Sequence, residues 1–490
     1  MTAYDDLMAF TRMTEALGQV AGRTGWDQET MMPEGAAEQR GEEMAALETV
    51  LHARRTDPRI GDWLEAAEAP DEVAAAQIRI IRRGYERSVR VPERLAVELA
   101  RVTSVAQGEW AAARRANDWS AFEPRLAQVV ALKQEEGDAL AAGGDRYEGL
   151  LAGYEPGTTA AEIADLFDGL RPRLVALRER ILGSDRKVPG LKGSFDEAAQ
   201  LALSKKLAGV FGYDFTRGRI DKAVHPFSSG SGADVRITTR TDPADPFNCL
   251  YSTIHEVGHA TYEQKVDAAY LLTPLGAGAS MGVHESQSRI YENQIGRSRA
   301  FTGWLFGEMT AAFGDLGLAD AEAFYAAVNR VHSGFIRTEA DEVHYNLHIM
   351  MRFDLERALV AGDLAVADLP EAWNARFLKD FGVAVDKPAN GVLQDVHWSL
   401  GLFGYFPTYS LGNVYAGCLL KAMMAAIPDL DTHLARGDLA PALDWLATRL
   451  QIHGSRYEPR VTIARACGFE PEAGPLLDYL ETKFGALYGL

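Results

Sequence analysis

One five-residue stretch just past the middle of the chain constrains its fold more than any other feature: His255-Glu256-Val257-Gly258-His259. It lies within Asn248–Lys265, where apolar residues recur at helical spacing, so the sequence predicts a helix there. Positions i and i+4 share one face of a helix, and both imidazoles can therefore reach a single metal ion. Glu256, rotated about 100° from the first histidine, stays off the ion but near a metal-bound water, where a general base is needed. The alternative is an ordinary helix that carries this spacing by chance.

The charge balance argues against nucleic acid and membranes as partners. The 490 residues include 69 acidic and 50 basic side chains, a net charge of −19, whereas both partners require basic surfaces. The sequence has no apolar run of about 18 residues, and its first residues lack the basic and apolar regions of a signal peptide. The 3 cysteines are far apart in the sequence, which fits a reducing compartment. We therefore expect a cytoplasmic globular protein.

The first 210 residues have the composition and spacing of an almost entirely helical region. Ser194 and Glu197 are a candidate capping box at the start of the last helix in this region. The predicted helices are Ala36–Arg54, Asp71–Arg87, Glu93–Asn117, Phe122–Ala142, Ala160–Leu182 and Phe195–Val210.

The pattern changes between Gly218 and Arg240. Alternation over Asp234–Arg240 follows a Ser/Gly turn at Ser228–Gly232, which predicts a short β-hairpin. Helical patterns resume with the histidine-bearing helix and continue to the C-terminus. The predicted fold class is therefore mainly α, with one small β-sheet beside the metal-binding helix. This sheet and the metal site occupy a region of about 215–300, between helical regions of about 1–210 and 301–490.

A catalytic zinc needs a third protein ligand and one open position. The favoured candidate is Glu285 in His284-Glu285-Ser286-Gln287, because two histidines and a glutamate are a known catalytic zinc set. Glu292, one heptad later on the same predicted face, is the rival ligand. Glu285 has a second interpretation, a helix carboxylate paired with Arg289 at i+4.

An aromatic and polar cluster near residue 400 provides candidates for oxyanion stabilisation. His397, Tyr405 and Tyr409 are residue types that stabilise a tetrahedral intermediate beside a metal, and packing is the alternative role for each. His344 and His348 repeat the i, i+4 spacing without a carboxylate between them. They form either a second metal pair or hydrogen bonds in the core or the wall of a cleft.

The sequence also contains a match to the GxSxG motif of serine hydrolases. Residues 278–282 match GxSxG, and Asp395 and His397 follow in hydrolase order. The nucleophile elbow requires a strand, a sharp turn and a helix within a parallel α/β sheet. The surroundings of Ser280 are helical, and Pro274 interrupts the short apolar run before it. The sequence therefore disfavours a serine nucleophile.

Five motifs in order give the chain its resemblance to a known family. They are HPF at His225–Phe227, DxRxT at Asp234–Thr238, HExxH at His255–His259, HES with a following Gln at His284–Gln287, and GxxQDxHW at Gly391–Trp398. Together they resemble the carboxypeptidase Taq family of thermostable metallocarboxypeptidases, and the similarity extends over nearly the whole chain.

The resemblance implies a single peptidase domain over residues 1–490, a two-lobed helical zincin similar to neurolysin, with a deep groove. It also implies a homodimer that removes single C-terminal amino acids from peptides with broad specificity, with zinc as the metal and cobalt as an alternative. By position, His255, His259 and Glu285 would bind zinc. Glu256 would activate the water and pass its proton to the leaving amine.

A carboxypeptidase must also recognise the free C-terminal carboxylate of its substrate, for which a bidentate arginine is best suited. The candidates are Arg236 in the DxRxT strand and Arg337, and a structural ion pair is the alternative role for each. Two further readings of the chain remain: an oligopeptidase that cuts internally in short peptides, and a catalytically silent metal-binding scaffold. The intact Glu256 argues against the scaffold, because a silent protein has no need of a base between its ligands.

Overall fold

The computed structural model describes residues 2–490 and confirms the mainly α fold with one small sheet. No helix among these residues is long and apolar enough to cross a membrane. The strands are β1 (Ile220–Lys222), β2 (Ser228–Ser231) and β3 (Asp234–Thr239). The helices are α1 (Ala3–Thr30), α2 (Ala37–Arg55), α3 (Pro58–Ala66), α4 (Glu72–Arg90), α5 (Glu93–Ala116), α6 (Glu123–Ala141), α7 (Arg146–Leu151), α8 (Ala160–Leu182), α9 (Glu197–Val210), α10 (Pro246–Lys265), α11 (Met281–Arg289), α12 (Arg299–Phe313), α13 (Ala321–Val328), α14 (Glu342–Ala361), α15 (Leu369–Phe381), α16 (Pro407–Ala426), α17 (Leu430–Leu434), α18 (Ala440–Arg449), α19 (Pro459–Cys467) and α20 (Gly474–Tyr488).

The chain forms two compact units, each assembled from three separate segments. The first unit consists of the chain up to Val89, Val188–Asn329 and Tyr415–Pro471. The second unit consists of Arg90–Lys187, Arg330–Val414 and Glu472–Leu490. The first 210 residues therefore contribute to both units.

The helix ends predicted in residues 1–210 agree with the structure to within 3 residues. The predicted capping box is wrong. Helix α9 begins at Glu197, and the side chain of Asp196 caps it by accepting a hydrogen bond from the Ala199 N–H at 2.8 Å. Ser194 lies two positions before this cap, and Glu197 is already the first helical residue. The two are therefore not in the reciprocal positions that a capping box requires.

The small sheet has the strand order β1-β3-β2. Strands β2 and β3 are antiparallel and form the predicted hairpin, with Ser231 opposite Asp234. The turn lies at residues 232–233, so the prediction of a turn at Ser228–Gly232 is wrong: Ser228–Ser231 is the strand β2. The sequence also missed β1, which pairs with β3 in parallel, because three residues are too short to show alternation. Val235 and Ile237 are fully buried where β3 packs against α10.

Helix α10 carries the two motif histidines and extends two residues further at its start than predicted. Asp245 is its N-cap, and Pro246 occupies the first turn, where no backbone donor is needed. Gly258, between the histidines, brings α10 into backbone contact with α11. A Cβ atom at this position would lie 2.5 Å from both the carbonyl oxygen of Gln287 and the Cα of Ser288. The glycine of the motif thus sets the distance between the two helices that carry the candidate ligands.

Helix α14 lies at the centre of the second unit and packs against α6, α7, α8 and α15. Its buried Glu356 is a hydrogen-bond hub. One carboxylate oxygen accepts from the Tyr147 hydroxyl at 2.9 Å and the Gly404 N–H at 3.2 Å, and the other accepts from Trp398 Nε1 at 2.9 Å. Burial raises the pKa of Glu356 to about 7. A titratable group therefore joins three separate parts of this unit.

Candidate metal centre

The structure brings together the three side chains predicted as metal ligands, His255, His259 and Glu285. The Oε2 atom of Glu285 lies 3.4 Å from Nε2 of His259 and 3.8 Å from Nε2 of His255. A zinc ion bound tetrahedrally by nitrogen and oxygen at about 2.0–2.2 Å separates its ligand atoms by roughly 3.3–3.6 Å. The donor types and their spacing therefore fit a zinc site with three protein ligands.

The Glu285 carboxylate presents one oxygen to the histidines and anchors the other. Its Oε1 accepts a hydrogen bond from Arg289 Nε at 2.7 Å, so the ion pair considered as the alternative to metal binding is present. The pair leaves Oε2 directed at the two imidazoles. Burial favours the neutral acid, but Arg289 and the two histidines hold the pKa of Glu285 well below its usual value. The group is therefore deprotonated, as a carboxyl group must be to bind a metal.

Glu292, the rival ligand, lies behind His255. One carboxylate oxygen is 2.9 Å from Nδ1 of His255, and the other accepts from Arg297 at 3.1 Å. The residue belongs to a π-helical turn, Ile290–Ile295, that follows α11. Because a π turn is wider than an α turn, seven residues no longer return Glu292 to the face of Glu285. A carboxylate at Nδ1 orients the ring so that Nε2 points to the metal position.

A longer chain of hydrogen bonds lies behind His259. Its Nδ1 is 2.6 Å from Nδ1 of His284, and Nε2 of His284 is 2.8 Å from Oε1 of Glu263. Burial lowers the pKa of His259 to about 3, so the ring is neutral at physiological pH. Sequence reasoning gave no role to His284 or Glu263. The available signal was spacing, because His255, His259 and Glu263 recur every four residues on α10.

Glu256 is buried next to the ligands, with 7% of its surface exposed. No hydrogen bond or ion pair engages its side chain anywhere in residues 2–490. Burial raises the pKa of Glu256 to about 7. A carboxyl group with this pKa can both accept and donate a proton near neutral pH.

The second unit contains a separate buried polar cluster around Asp395. Its Oδ1 accepts from Arg337 Nε at 2.9 Å, and its Oδ2 accepts from Arg352 Nε at 2.6 Å. The Arg337 guanidinium also lies over the Tyr409 ring, 5.2 Å from its centre. Although burial disfavours its charge, Asp395 holds the pKa of Arg337 above its usual value. Its Nη2 atom makes no hydrogen bond to any described residue.

The three oxyanion candidates belong to this same cluster. Nε2 of His397 is 3.1 Å from the Tyr409 hydroxyl, and the Tyr405 and Tyr409 ring centres are 5.2 Å apart. Burial, with Arg337 next, lowers the pKa of His397 to about 3, so the ring is neutral. Within residues 2–490 its buried Nδ1 has no hydrogen-bond partner. Asp395 thus pairs with arginines instead of orienting His397, unlike the acid of a serine hydrolase triad.

Arg236 is engaged in a bidentate ion pair. Its Nε and Nη2 atoms donate to the two oxygens of Asp234 at 2.8 and 2.9 Å. The guanidinium lies 4.4 Å from the Trp26 ring centre. The structural ion pair considered as the alternative role is therefore present at Arg236, as it is at Arg337, which pairs with Asp395 at 2.9 Å.

His344 and His348 lie in the core of the second unit. His344 pairs through Nδ1 with Asp341 at 2.8 Å, and His348 packs against Phe381 with ring centres 4.5 Å apart. Among the described residues, no third metal-ligating group joins the two histidines. Their i, i+4 spacing therefore reflects buried packing and hydrogen bonding.

Comparisons with known proteins cover almost the entire chain. Residues 6–484 match the family model described as carboxypeptidase Taq (M32) metallopeptidase. Thermostable carboxypeptidase 1 of Thermus thermophilus is 45% identical over 99% of both chains, and carboxypeptidase 1 of Bacillus subtilis is 36% identical over 94% of both. The crystal structure of an M32 carboxypeptidase from Deinococcus radiodurans R1 is similar with a TM-score of 0.95, 38% identity and 100% of both chains covered. Metallocarboxypeptidase 1 of Trypanosoma cruzi has a TM-score of 0.96 and 33% identity, over 98% of this chain and 99% of its own.

Proposed function

Because this chain belongs to the carboxypeptidase Taq (M32) family of metallopeptidases, we propose that its metallocarboxypeptidase activity depends on zinc and removes single amino acids from peptide C-termini. The convergence of two histidine Nε2 atoms and one carboxylate oxygen carries the zinc assignment. His255, His259 and Glu285 would hold the ion. When bound, zinc polarises a carbonyl group and lowers the pKa of a water molecule.

Glu256 is the proposed general base. It follows His255 directly on α10, which places its carboxylate beside the ligands but on a different side of the helix. The base accepts a proton from the attacking water and transfers it to the nitrogen of the leaving amino acid. No side chain or backbone group in residues 2–490 forms a hydrogen bond or ion pair with the Glu256 carboxylate. It can therefore accept a proton without first breaking such a bond.

For the substrate's terminal carboxylate, we favour Arg337 over Arg236. The bidentate pair with Asp234 uses two donors on one edge of Arg236. Arg337 donates from Nε to Asp395 and from Nη1 to the Tyr345 hydroxyl at 3.4 Å, but it retains Nη2, while the Tyr409 ring supports its plane. A buried, permanently charged fork is well suited to bind a carboxylate. An amide-blocked peptide end has no negative charge to offer it, which accounts for cleavage at the chain end.

Tyr409 and His397 are the proposed oxyanion donors, with Tyr405 packed against both. The Tyr409 hydroxyl and the His397 Nε2 are within hydrogen-bond distance, so one donates to the other, and the partner that accepts keeps its own proton for the oxyanion. Removal of one such donor reduces kcat by about 10²–10³-fold in well-studied hydrolases.

We further propose that the enzyme is a cytoplasmic homodimer with broad side-chain specificity, and that cobalt can replace zinc. Within residues 2–490 no disulfide joins any of the 3 cysteines, which is consistent with a reducing compartment. Light scattering on the purified chain tests the dimer, and zinc-free enzyme reloaded with cobalt tests the metal.

The function is tested with a matched pair of substrates, an N-blocked dipeptide and its C-terminal amide. We expect hydrolysis of the acid only, one zinc per chain, and loss of activity with a chelator. A longer unblocked peptide should yield a ladder of products, each one residue shorter at the C-terminus. Equal hydrolysis of the amide would favour the oligopeptidase and contradict the carboxypeptidase proposal.

A further inference from the structure

We infer that His284 and Glu263 fix the tautomer and orientation of His259 and thereby set the affinity of the site for its metal ion. The inference rests on the proposed function, since it concerns the same metal site. Both residues act through His259, so they are positioning residues and not catalytic ones.

The imidazoles of His259 and His284 can share their protons in one order only. Nε2 of His259 faces the Glu285 oxygen at 3.4 Å and is the atom available to a metal. A neutral imidazole that presents a lone pair at Nε2 carries its proton on Nδ1. This N–H therefore donates to Nδ1 of His284 at 2.6 Å. His284 must then carry its own proton on Nε2.

Glu263 fixes the order of these protons. Nε2 of His284 lies 2.8 Å from Oε1 of Glu263, and an ionised carboxylate can only accept. The carboxylate thus selects the Nε2–H form of His284, which in turn selects the Nδ1–H form of His259. Glu292 selects the Nδ1–H form of His255 by direct contact, whereas Glu263 selects the Nδ1–H form of His259 through a second imidazole.

The position of Glu263 is difficult to explain by stability alone. Its side chain is only 7% exposed, and no lysine or arginine in residues 2–490 lies within ion-pair distance of it. One oxygen, Oε2, is buried without a hydrogen-bond partner among those residues. A buried carboxylate with so few partners destabilises the folded state. The position of Glu263 therefore indicates a role other than stability.

The loop before α11 is shaped to hold the imidazole of His284. The N–H of Gly278 donates to Oε1 of Glu263 at 3.0 Å. A Cβ atom at Gly278 would lie 2.7 Å from Cδ2 of His284 and 2.9 Å from Cε1 of Tyr262. The first glycine of the GxSxG sequence therefore closes the loop over the His284 ring, and Ser280 caps α11 by accepting from the Val283 N–H at 3.1 Å.

The test measures zinc affinity by competition with a chromophoric chelator, with no use of turnover. His284→Leu removes the acceptor for the His259 N–H, and we expect zinc to bind about 10–100-fold more weakly. His284→Asn places an oxygen near the former Nδ1 and should recover much of that loss. Glu263→Gln keeps the size of the side chain without its charge and should fall between wild type and His284→Leu.

The matched control is His344→Leu, which also removes a histidine paired with a carboxylate, but in the second unit. Its zinc affinity should equal that of the wild type. An equal loss in this control, or no loss in the His284 and Glu263 variants, would overturn the inference. If His284→Leu does not fold, Glu263→Gln decides by the same measurement, because its zinc affinity should still fall below that of the wild type. Wild type that binds no zinc would instead refute the proposed function, which keeps the two failures distinct.

Discussion

Substitution of the motif glycine, Gly258→Ala, should separate the two helices that carry the metal ligands. The added Cβ would lie 2.5 Å from two backbone atoms of α11, at Gln287 and Ser288, whereas ordinary contact begins at 3.4 Å. Neither atom belongs to a flexible side chain that can rotate away. The helices must therefore move apart by about 0.9 Å, the difference between those distances.

Two opposing effects determine how far Gly258→Ala changes the free energy of unfolding. Overpacking of a core lowers the free energy of unfolding by about 1–3 kcal/mol, and contact with rigid backbone belongs at the upper end. Replacing glycine by alanine inside a helix raises the free energy of unfolding by about 1 kcal/mol. We expect a net loss of about 2 kcal/mol. A shift of 0.9 Å also exceeds the roughly 0.5 Å tolerance of a preorganised site, so zinc affinity should fall about tenfold or more.

Urea unfolding of the zinc-free protein measures the first effect, and chelator competition measures the second. Gly303→Ala on α12 is the matched control, because that glycine is also helical and in the first unit, but its Cβ would have no atom within 4 Å. The control should gain up to about 1 kcal/mol in unfolding free energy and leave zinc binding unchanged. The reasoning fails if Gly258→Ala is as stable as Gly303→Ala and binds zinc like the wild type.

Three further outcomes are expected. Glu256→Gln should abolish hydrolysis while zinc stays bound, and retained turnover in a steady-state assay would refute its role as base. Arg337→Met should weaken transition-state binding of the free acid by about 2–5 kcal/mol, seen as a lower kcat/KM. It should also erase the preference for the free acid over the amide, whereas Arg236→Met should keep that preference. Burial raises the pKa of Glu356 from its ordinary 4.5 to about 7, so its contribution to stability is full below pH 4.5 and is lost as the pH rises through 7. Wild type should therefore lose about 3 kcal/mol of unfolding free energy relative to Glu356→Gln between pH 4.5 and 8, and parallel pH profiles in urea would contradict this.

Local patterns in the sequence predicted the local parts of the site. The i, i+4 histidines lie on one face of α10 because helical periodicity alone places them there. The ends of six helices in residues 2–210 were predicted for the same reason, since propensity and apolar spacing are local, whereas α1, α3 and α7 were not predicted. The third ligand was narrowed to two glutamates, and the residue favoured from the sequence, Glu285, is the one that lies with the histidines.

The remaining features depend on contacts that spacing does not encode. The π turn after α11 moved Glu292 out of the heptad position that made it a rival ligand. The parallel pairing of β1 with β3 and the relay from Glu263 to His259 join residues through tertiary packing. Asp196 capped α9 instead of Ser194, because a shift of two residues in the helix start changes which side chain reaches the first turn.

The interleaving of the two units has a consequence for how the protein is made. The first unit is complete only when Pro471 has been synthesised, and the second only at Leu490. The metal-site region itself depends on the late part of the chain, because Gln451 Nε2 donates to the buried side chain of Gln287 on α11 at 2.9 Å. The two units therefore cannot fold one after the other during translation, as successive domains of many large proteins do. The nascent chain must keep its long N-terminal helices unaggregated until the third segment of each unit has been synthesised, and a truncation before Gln451 should remove metal binding together with the fold of both units.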